Sequence, residues 1–531
     1  MANRWIPNCS RWICNPAASR RICNPPRAKR QLLIALSLIV ALLALTLTSC
    51  GPTSVPGSTP GLSTPQQGSD RISSSVEPLS PTARGKAQTP GPSPTGPSAT
   101  PTSTPQSDTI SQLDPTGAQI TLWHPFTGTE EQTLLALISE FNSQNEWGIT
   151  IKPEYGGPYP DLHKKTLASI AFGSPPEMTF TDHSRVAEYA RADVIQPLDG
   201  YLANEKYGLT AEELQDYFPV FLAGDRYPAF DNELLSLSPS LGMEVMYYNV
   251  DMLNELGYEN PPATWDEFEA VCMDATRDTD GDGLNDTFGY AVSPSGSTFA
   301  SWVWSRGGQL LSKDGQRVLF QEQGLEALTL LRDLIDSDYA YQAIEEDGDR
   351  SDFCQGKVLF IFDSLDGLCS DLTAAEEGTV VEPEFEWSIA PFPHGTAKPV
   401  VGMYGPTLSI FKTTPQKQLA GWLFIKWFTG PEQATRWAIA SDHFPVRRSA
   451  VETETMVAFF EENPLYEDAF GFPSTDSGHR LEYARMEPAI AGWQEIRDAL
   501  YKAIVGVTSG LMSPEEAMYE AVEEAERILA E

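Results

Sequence analysis

Basic residues are scarce in this chain: 36 Lys and Arg stand against 73 Asp and Glu, a net charge of -37. That balance excludes a nucleic-acid binder, which needs a basic face to meet phosphates. Such acidity mainly keeps a protein soluble and says little about its fold. Catalytic signatures are lacking too. There is no Walker A loop, no His-Glu-x-x-His and no Gly-x-Ser-x-Gly. The six histidines, at 124, 163, 183, 394, 443 and 479, show no metal-ligand spacing. So acidic a sequence leaves room for a glycosidase-like carboxylate pair, yet nothing singles one out. Cysteine is sparse. Cys9, Cys14, Cys23 and Cys50 lie near the N-terminus, and only Cys272, Cys354 and Cys369 remain. Three cysteines outside the cytoplasm allow one disulfide, with Cys354 and Cys369 the nearer pair, or equally three buried apolar side chains.

The apolar run Leu32–Leu47 has 16 residues, short of the roughly 20 that a spanning helix needs. Ahead of it, residues 1–49 carry Arg4, Arg11, Arg20, Arg21, Arg27, Lys29 and Arg30 and no acidic residue. A basic leader followed by such a run suits a signal peptide. It ends in Leu47-Thr48-Ser49-Cys50, which resembles the lipobox of bacterial lipoproteins, whose cysteine takes a diacylglycerol. The resemblance implies an extracytoplasmic protein anchored to the cell membrane through Cys50. From Gly51 to Pro115 the chain is dominated by Ser, Thr, Pro and Gly, with few aliphatics and no aromatic residue. Such a segment buries too little surface to offset its ordering entropy, so a disordered tether is expected. The expected organisation is a signal peptide over 1–49, an anchored linker over 50–117 and a folded domain over 118–531.

What remains is rich in core-forming residues: 41% of the chain is hydrophobic, with 12 tryptophans. At 531 residues, at least two lobes are expected. Ile120–Trp123 reads as a strand, followed by a helix with Leu134, Ile138 and Phe141 on one face. A strand near 149–153, a helix over 162–172 and a strand at 178–181 follow, with Gly173-Ser174-Pro175-Pro176 stopping the helix. This alternation predicts a largely parallel α/β sheet, with ligands beyond the carboxyl ends of its strands. Thr414-Pro415 opens an apolar helix. Ser513-Pro514-Glu515-Glu516 opens the last one, with an N-cap, Pro at N1 and Glu at N3.

Two local features invite chemistry. Asp278, Asp280, Asp282 and Asp286 stand at positions 1, 3, 5 and 9 of a calcium-type loop, with Gly283 at 6 and the Leu284 carbonyl at 7. Position 12 is Gly289, so the usual bidentate Glu is missing. The segment is either a structural Ca²⁺ site or a bare acidic turn. No other cofactor is expected. Trp123, Phe126, Tyr159, Tyr227, Trp302, Trp304 and Tyr404 cluster after predicted strands or beside Gly and Pro, where they can form a stacking platform for a sugar or polyol.

The folded part resembles the extracellular solute-binding proteins of ABC importers, in the maltose/glycerol-3-phosphate-type branch. The matching segments are Ile120–Pro125, Gly156-Gly157-Pro158-Tyr159, the Ala171–Glu177 turn, Tyr247-Tyr248-Asn249, Pro261–Phe268, Gly356-Lys357-Val358, His443–Val446 and the final helix. The resemblance implies a two-lobed periplasmic-binding-protein-like fold of type II, with hinge-linked lobes and a sugar or polyol phosphate held between them. It implies membrane permease subunits as partners, a monomer and no enzymatic activity. Carried over residue by residue, it implies ligand contacts from Tyr159, Asp182, Trp302, Trp304, Ser364, Gly405 and Arg480; the aromatic cluster adds Trp123 and Tyr404 as expected contacts, and His443 is added at a position where the family pattern changes. His443 stands where the family has a tyrosine, and Gly242 and Glu244 depart from a Ser/Thr-rich turn, so a neutral sugar and a phosphate stay equally open. Two other classes remain: a lipid-anchored carbohydrate- or phosphoester-active hydrolase using the same cleft, and a calcium-stabilised adhesion protein.

Overall fold

The computed structural model describes residues 106–345, 347–365, 373–374, 379–380, 383–471 and 484–531. They all belong to one unit that runs Ser98–Glu531. Packed structure is present ahead of the expected domain start at residue 118. The expected linker to residue 117 gives way to a short helix, Gln106–Ser111, whose Ile110 is buried in the core. Tyr207 donates a hydrogen bond to the Leu113 carbonyl at 2.9 Å. One aliphatic side chain and a hydroxyl from a distant segment suffice to fasten this stretch, and neither shows in local composition.

The first lobe is built on a four-stranded sheet. Its parallel strands are Gln119–His124, Thr150–Tyr155 and Met178–Thr181. Thr407–Ile410 adds antiparallel to the edge at Thr181–Met178. The helix Gly128–Gln144 turns Leu134, Leu137, Ile138 and Phe141 inward, as the 3.6-residue period dictates. Tyr159–Ala171 stops where Gly173 takes φ +69° and its N–H reaches back to the Ile170 carbonyl. Pro415–Phe428 is capped by the Thr414 hydroxyl, which accepts from the Lys417 N–H, and it buries Trp422, Phe424 and Ile425.

The second lobe departs from the expected parallel sheet. Its central strand, Ser240–Asn249, pairs antiparallel with Val358–Ser364, Trp387–Ala390, Val401–Tyr404 and Phe444–Pro445. Only the outer pairings, such as Phe288–Val292 with Ala340–Gln342, are parallel. The central strand is buried along nearly its whole length on both faces, so it reads as a continuous apolar run instead of an alternating one. The helices Trp265–Ala275, Gly296–Ser305, Gln321–Asp336, Trp493–Thr508 and Pro514–Leu529 supply a second core. In the last of these, Ser513 and Glu516 form the expected capping box.

Two crossings between the sheets can be followed through strand pairing among the described residues. Leu237 bonds to Leu408 of the first sheet, and three residues on, Ser240 starts the central strand of the second. In return, Tyr404 pairs with Gly242 in the second sheet and Thr407 with Thr181 in the first, with Gly405-Pro406 between. Gly405 has φ +155°, and a Cβ there would stand 3.3 Å from the Leu241 Cα. Two crossing strands packed this closely leave no room for a side chain.

Candidate functional site

Beside these crossings lies a cavity of about 370 Å³. Phe126, Glu130, Tyr159, Asp182, His183 and Ser184 line it from the first lobe. Met403, Tyr404, Gly405, Pro406 and His443 come from the crossing region, and Met486, Glu487, Pro488, Trp493, Gln494 and Arg497 from the second lobe. The site therefore sits past the carboxyl ends of first-lobe strands, as open α/β sheets place their ligands.

Local structure aims each group. Asp182 follows the strand Met178–Thr181 and is the N-cap of the helix His183–Arg191; its Oδ1 accepts from the Arg185 N–H at 3.0 Å and the Ser184 hydroxyl at 2.6 Å. Tyr159 opens the helix after Gly156-Gly157-Pro158, and the residue is 38% exposed. Burial of its hydroxyl end, with the Glu130 and Asp182 carboxylates nearby, pushes its pKa well above the usual value, so it stays a neutral donor and acceptor. His183 and the fully buried Asp225 lie 2.9 Å apart, and Ser238 and Thr407 donate hydroxyl hydrogen bonds to the same carboxylate oxygen. This knot ties the pocket wall to both sides of the crossings. His443 Nδ1 lies 3.1 Å from the Ser240 hydroxyl.

Of the residues expected from sequence, Phe126, Tyr159, Asp182, Tyr404, Gly405 and His443 meet at this cavity. Ser364 does not line it. It is buried behind Gly242, whose other neighbour is His443, and its hydroxyl has no hydrogen-bond partner among the described residues. Trp302 and Trp304 are packed into the second core, 4% and 5% exposed. Trp123 lies outside the pocket, with its indole N–H donating to Glu154 at 3.0 Å and the Lys165 ammonium over its ring. Tyr227 is fully buried, its hydroxyl 2.9 Å from that of Ser236. Arg480, Cys50 and Cys369 lie outside the described residues. Cys354 is disulfide-bonded and Cys272 is a buried free thiol. None of Glu130, His183, Glu487, Trp493 and Arg497 was singled out as a site residue in the sequence. A signal was present: Trp493 and Arg497 stand four apart just after Gly492, on one face of a helix's first turns.

The acidic loop keeps Asp278, Asp280 and Asp286 together, with carboxylate oxygens within 4.8 Å of one another, all exposed. Backbone N–H groups of Gly281 and Gly283 donate to Asp278, and those of Thr279 and Asp280 to Asp286. Asp282 instead accepts from the Leu284 N–H.

A family model described as bacterial extracellular solute-binding protein matches residues 136–467. The chain belongs to this family. The sn-glycerol-3-phosphate-binding periplasmic protein UgpB of Agrobacterium fabrum is 25% identical over 421 residues, covering 73% of this chain and 91% of that protein. Among solved structures, the sugar-binding protein MalE of Xanthomonas citri superposes with TM-score 0.63 at 21% identity, covering 78% of this chain and 98% of MalE. UgpB of Mycobacterium tuberculosis, in complex with glycerophosphocholine, superposes at 0.60 with 17% identity, covering 78% and 99%. These solved structures speak to the two-lobed fold. This solute-binding protein works outside the cytoplasm, as its family does, and the relatives named here are binding proteins.

Proposed function

We propose that the chain is the substrate-binding lipoprotein of an ABC importer, capturing a sugar or polyol phosphate between its lobes and delivering it to the permease subunits. The observation that carries this reading is the cavity at the crossings, walled by Tyr159 and Asp182 from one lobe and by Glu487, Trp493 and Arg497 from the other. A ligand touched by both lobes binds the closed form better and shifts the population toward it. The permease then reads the closed shape. Within the same reading, residues 1–49 are a signal peptide, Cys50 carries the lipid, and the protein acts as a monomer at the membrane without nucleic acid. A structural calcium ion held by Asp278, Asp280 and Asp286, with Asp282 and the Leu284 carbonyl close by, would relieve the crowding of carboxylates in the loop.

Mass spectrometry of small molecules released by heating the freshly purified full chain tests the ligand class. A sugar or a glycerol-phosphate-type molecule is expected in near-stoichiometric amount. Release of a peptide or an amino acid instead, or turnover of an added glycoside, would overturn the reading.

A further inference from the structure

The first lobe has a second concavity, a groove of about 700 Å³ at the amino ends of its parallel strands. Trp147 lines it, and the Trp147 carbonyl accepts from the Gly117 N–H at 2.9 Å, two residues before the strand Gln119–His124 begins. The interlobe cavity lies past the other end of these strands, roughly 20 Å away. Trp147 and Trp427 are only partly buried in the groove, and neither indole N–H has a hydrogen-bond partner among the described residues. The side-chain amides of Gln144 and Gln433 are unpartnered there too. Lys206 and Lys426 border the groove with Glu146 and Glu213, so it bears no net charge in a chain of -37. Lys426 and Glu213 already stand 3.4 Å apart. An uncharged occupant with carbonyl oxygens and apolar rings suits such a lining.

The chain itself reaches the rim. Lys206 Nζ lies 3.5 Å from the Ser111 carbonyl, and the Tyr207 hydroxyl donates to that of Leu113 at 2.9 Å. Both side chains line the groove. Gln106 starts the helix that ends at Ser111, about 8 Å back along its axis. Ahead of it stands Ser98-Ala99-Thr100-Pro101-Thr102-Ser103-Thr104-Pro105, in the same unit and without a charged residue. As a polyproline-type helix, at about 3.1 Å per residue, this stretch spans about 25 Å, enough to double back across the groove. Proline-rich segments in that conformation dock in aromatic-lined grooves, and indole N–H groups can donate to their carbonyls. Pro101 and Pro105 fix their own φ and keep Thr100 and Thr104 extended, so half of the segment is set before it docks. Less entropy is then lost on binding. A short covalent link also gives an effective concentration in the millimolar range, so a weak contact suffices.

We propose that this groove is the docking site of the chain's own segment Ser98–Pro105, laid across Trp147 and Trp427. Docking here leaves the interlobe cavity clear, whatever ligand the cleft takes. Hydrogen exchange of the full chain in detergent, read by mass spectrometry, tests it against a synthetic peptide of residues 95–108. The amides of Thr100, Thr102, Ser103 and Thr104 should exchange about five-fold or more slowly in the protein than in the peptide. Trp147→Ala should return them to the peptide's rate. So should Pro101→Gly combined with Pro105→Gly, with melting by circular dichroism unchanged. Exchange at the peptide's rate in the wild type would overturn the inference, as would protection that survives both variants. Protection that fades on dilution, as a dimer dissociates in analytical ultracentrifugation, would assign the groove to a second copy and overturn it as well. If Trp147→Ala fails to fold, the proline variant decides, because it alters no residue of the groove.

Discussion

Asp225 shows how a single residue serves both stability and the site. It is fully buried, and His183, Ser236, Ser238 and Thr407 converge on it from both sides of the crossings. Burial pushes its carboxyl up. The His183 hydrogen bond and charge, then the Ser238 N–H and the Thr407 hydroxyl, more than offset this and hold it below the ordinary 3.8. An acid held low in the folded state contributes stability that is present above its ordinary pKa and is lost as pH falls through the lower folded value. Asp225→Ala is therefore expected to cost about 3–5 kcal/mol at pH 7, because it strands a buried histidine. The deficit should shrink once the pH falls below 3.8. Denaturant unfolding across pH checks this, and a loss below about 1 kcal/mol at pH 7 would show the pair to be dispensable. Residue type alone was a poor guide at this scale. Trp302 and Trp304 drew attention as cleft aromatics, yet large rings fill cores as readily as they line pockets. Both went to the core.

Among the elements, the loop Asp278–Asp286 and the Gly405-Pro406 crossing were each marked in sequence by glycines, for different physical reasons. Gly281 and Gly283 take φ +82° and +91°, which folds the loop so that backbone N–H groups point at Asp278. Gly405 is needed for close approach to Leu241. If the loop holds calcium, adding the ion should raise the melting temperature by a few degrees, because a ligand of the folded state stabilises it by mass action. Asp280→Ala combined with Asp286→Ala should remove the rise. Identical melting curves in calcium and in chelator would leave the loop a bare acidic turn, with the transport reading untouched. The strands and helices of the first lobe were legible because each carries its own period, stop or cap. The mixed pairing of the second sheet was not, because the central strand is covered on both faces and its apolar run does not say which neighbours it takes.

For the whole molecule, the proposed anchor makes a simple demand. Cys50→Ala should release soluble protein or leave an uncleaved precursor when cells are fractionated, and the wild-type mature N-terminus should map to Cys50. A mature N-terminus well downstream would end that proposal. The sequence by itself determined the α/β class, the two-lobed family and most first-lobe elements. The class and the elements follow from hydrophobic period, caps and turn residues, all of which act within a few positions along the chain, and the family from the resemblance of short motifs such as Gly156–Tyr159 and His443–Val446. It also named Tyr159, Asp182, Tyr404, Gly405 and His443, which the fold brings to one cavity. Only the tertiary structure decided that Trp302 and Trp304 are core and that Gln106–Ser111 joins the fold. It alone placed Glu487, Trp493 and Arg497 opposite Asp182, roughly 300 residues away in the chain. Such neighbours are set by how the chain crosses between two sheets, and local pattern carries no record of a contact made across that distance.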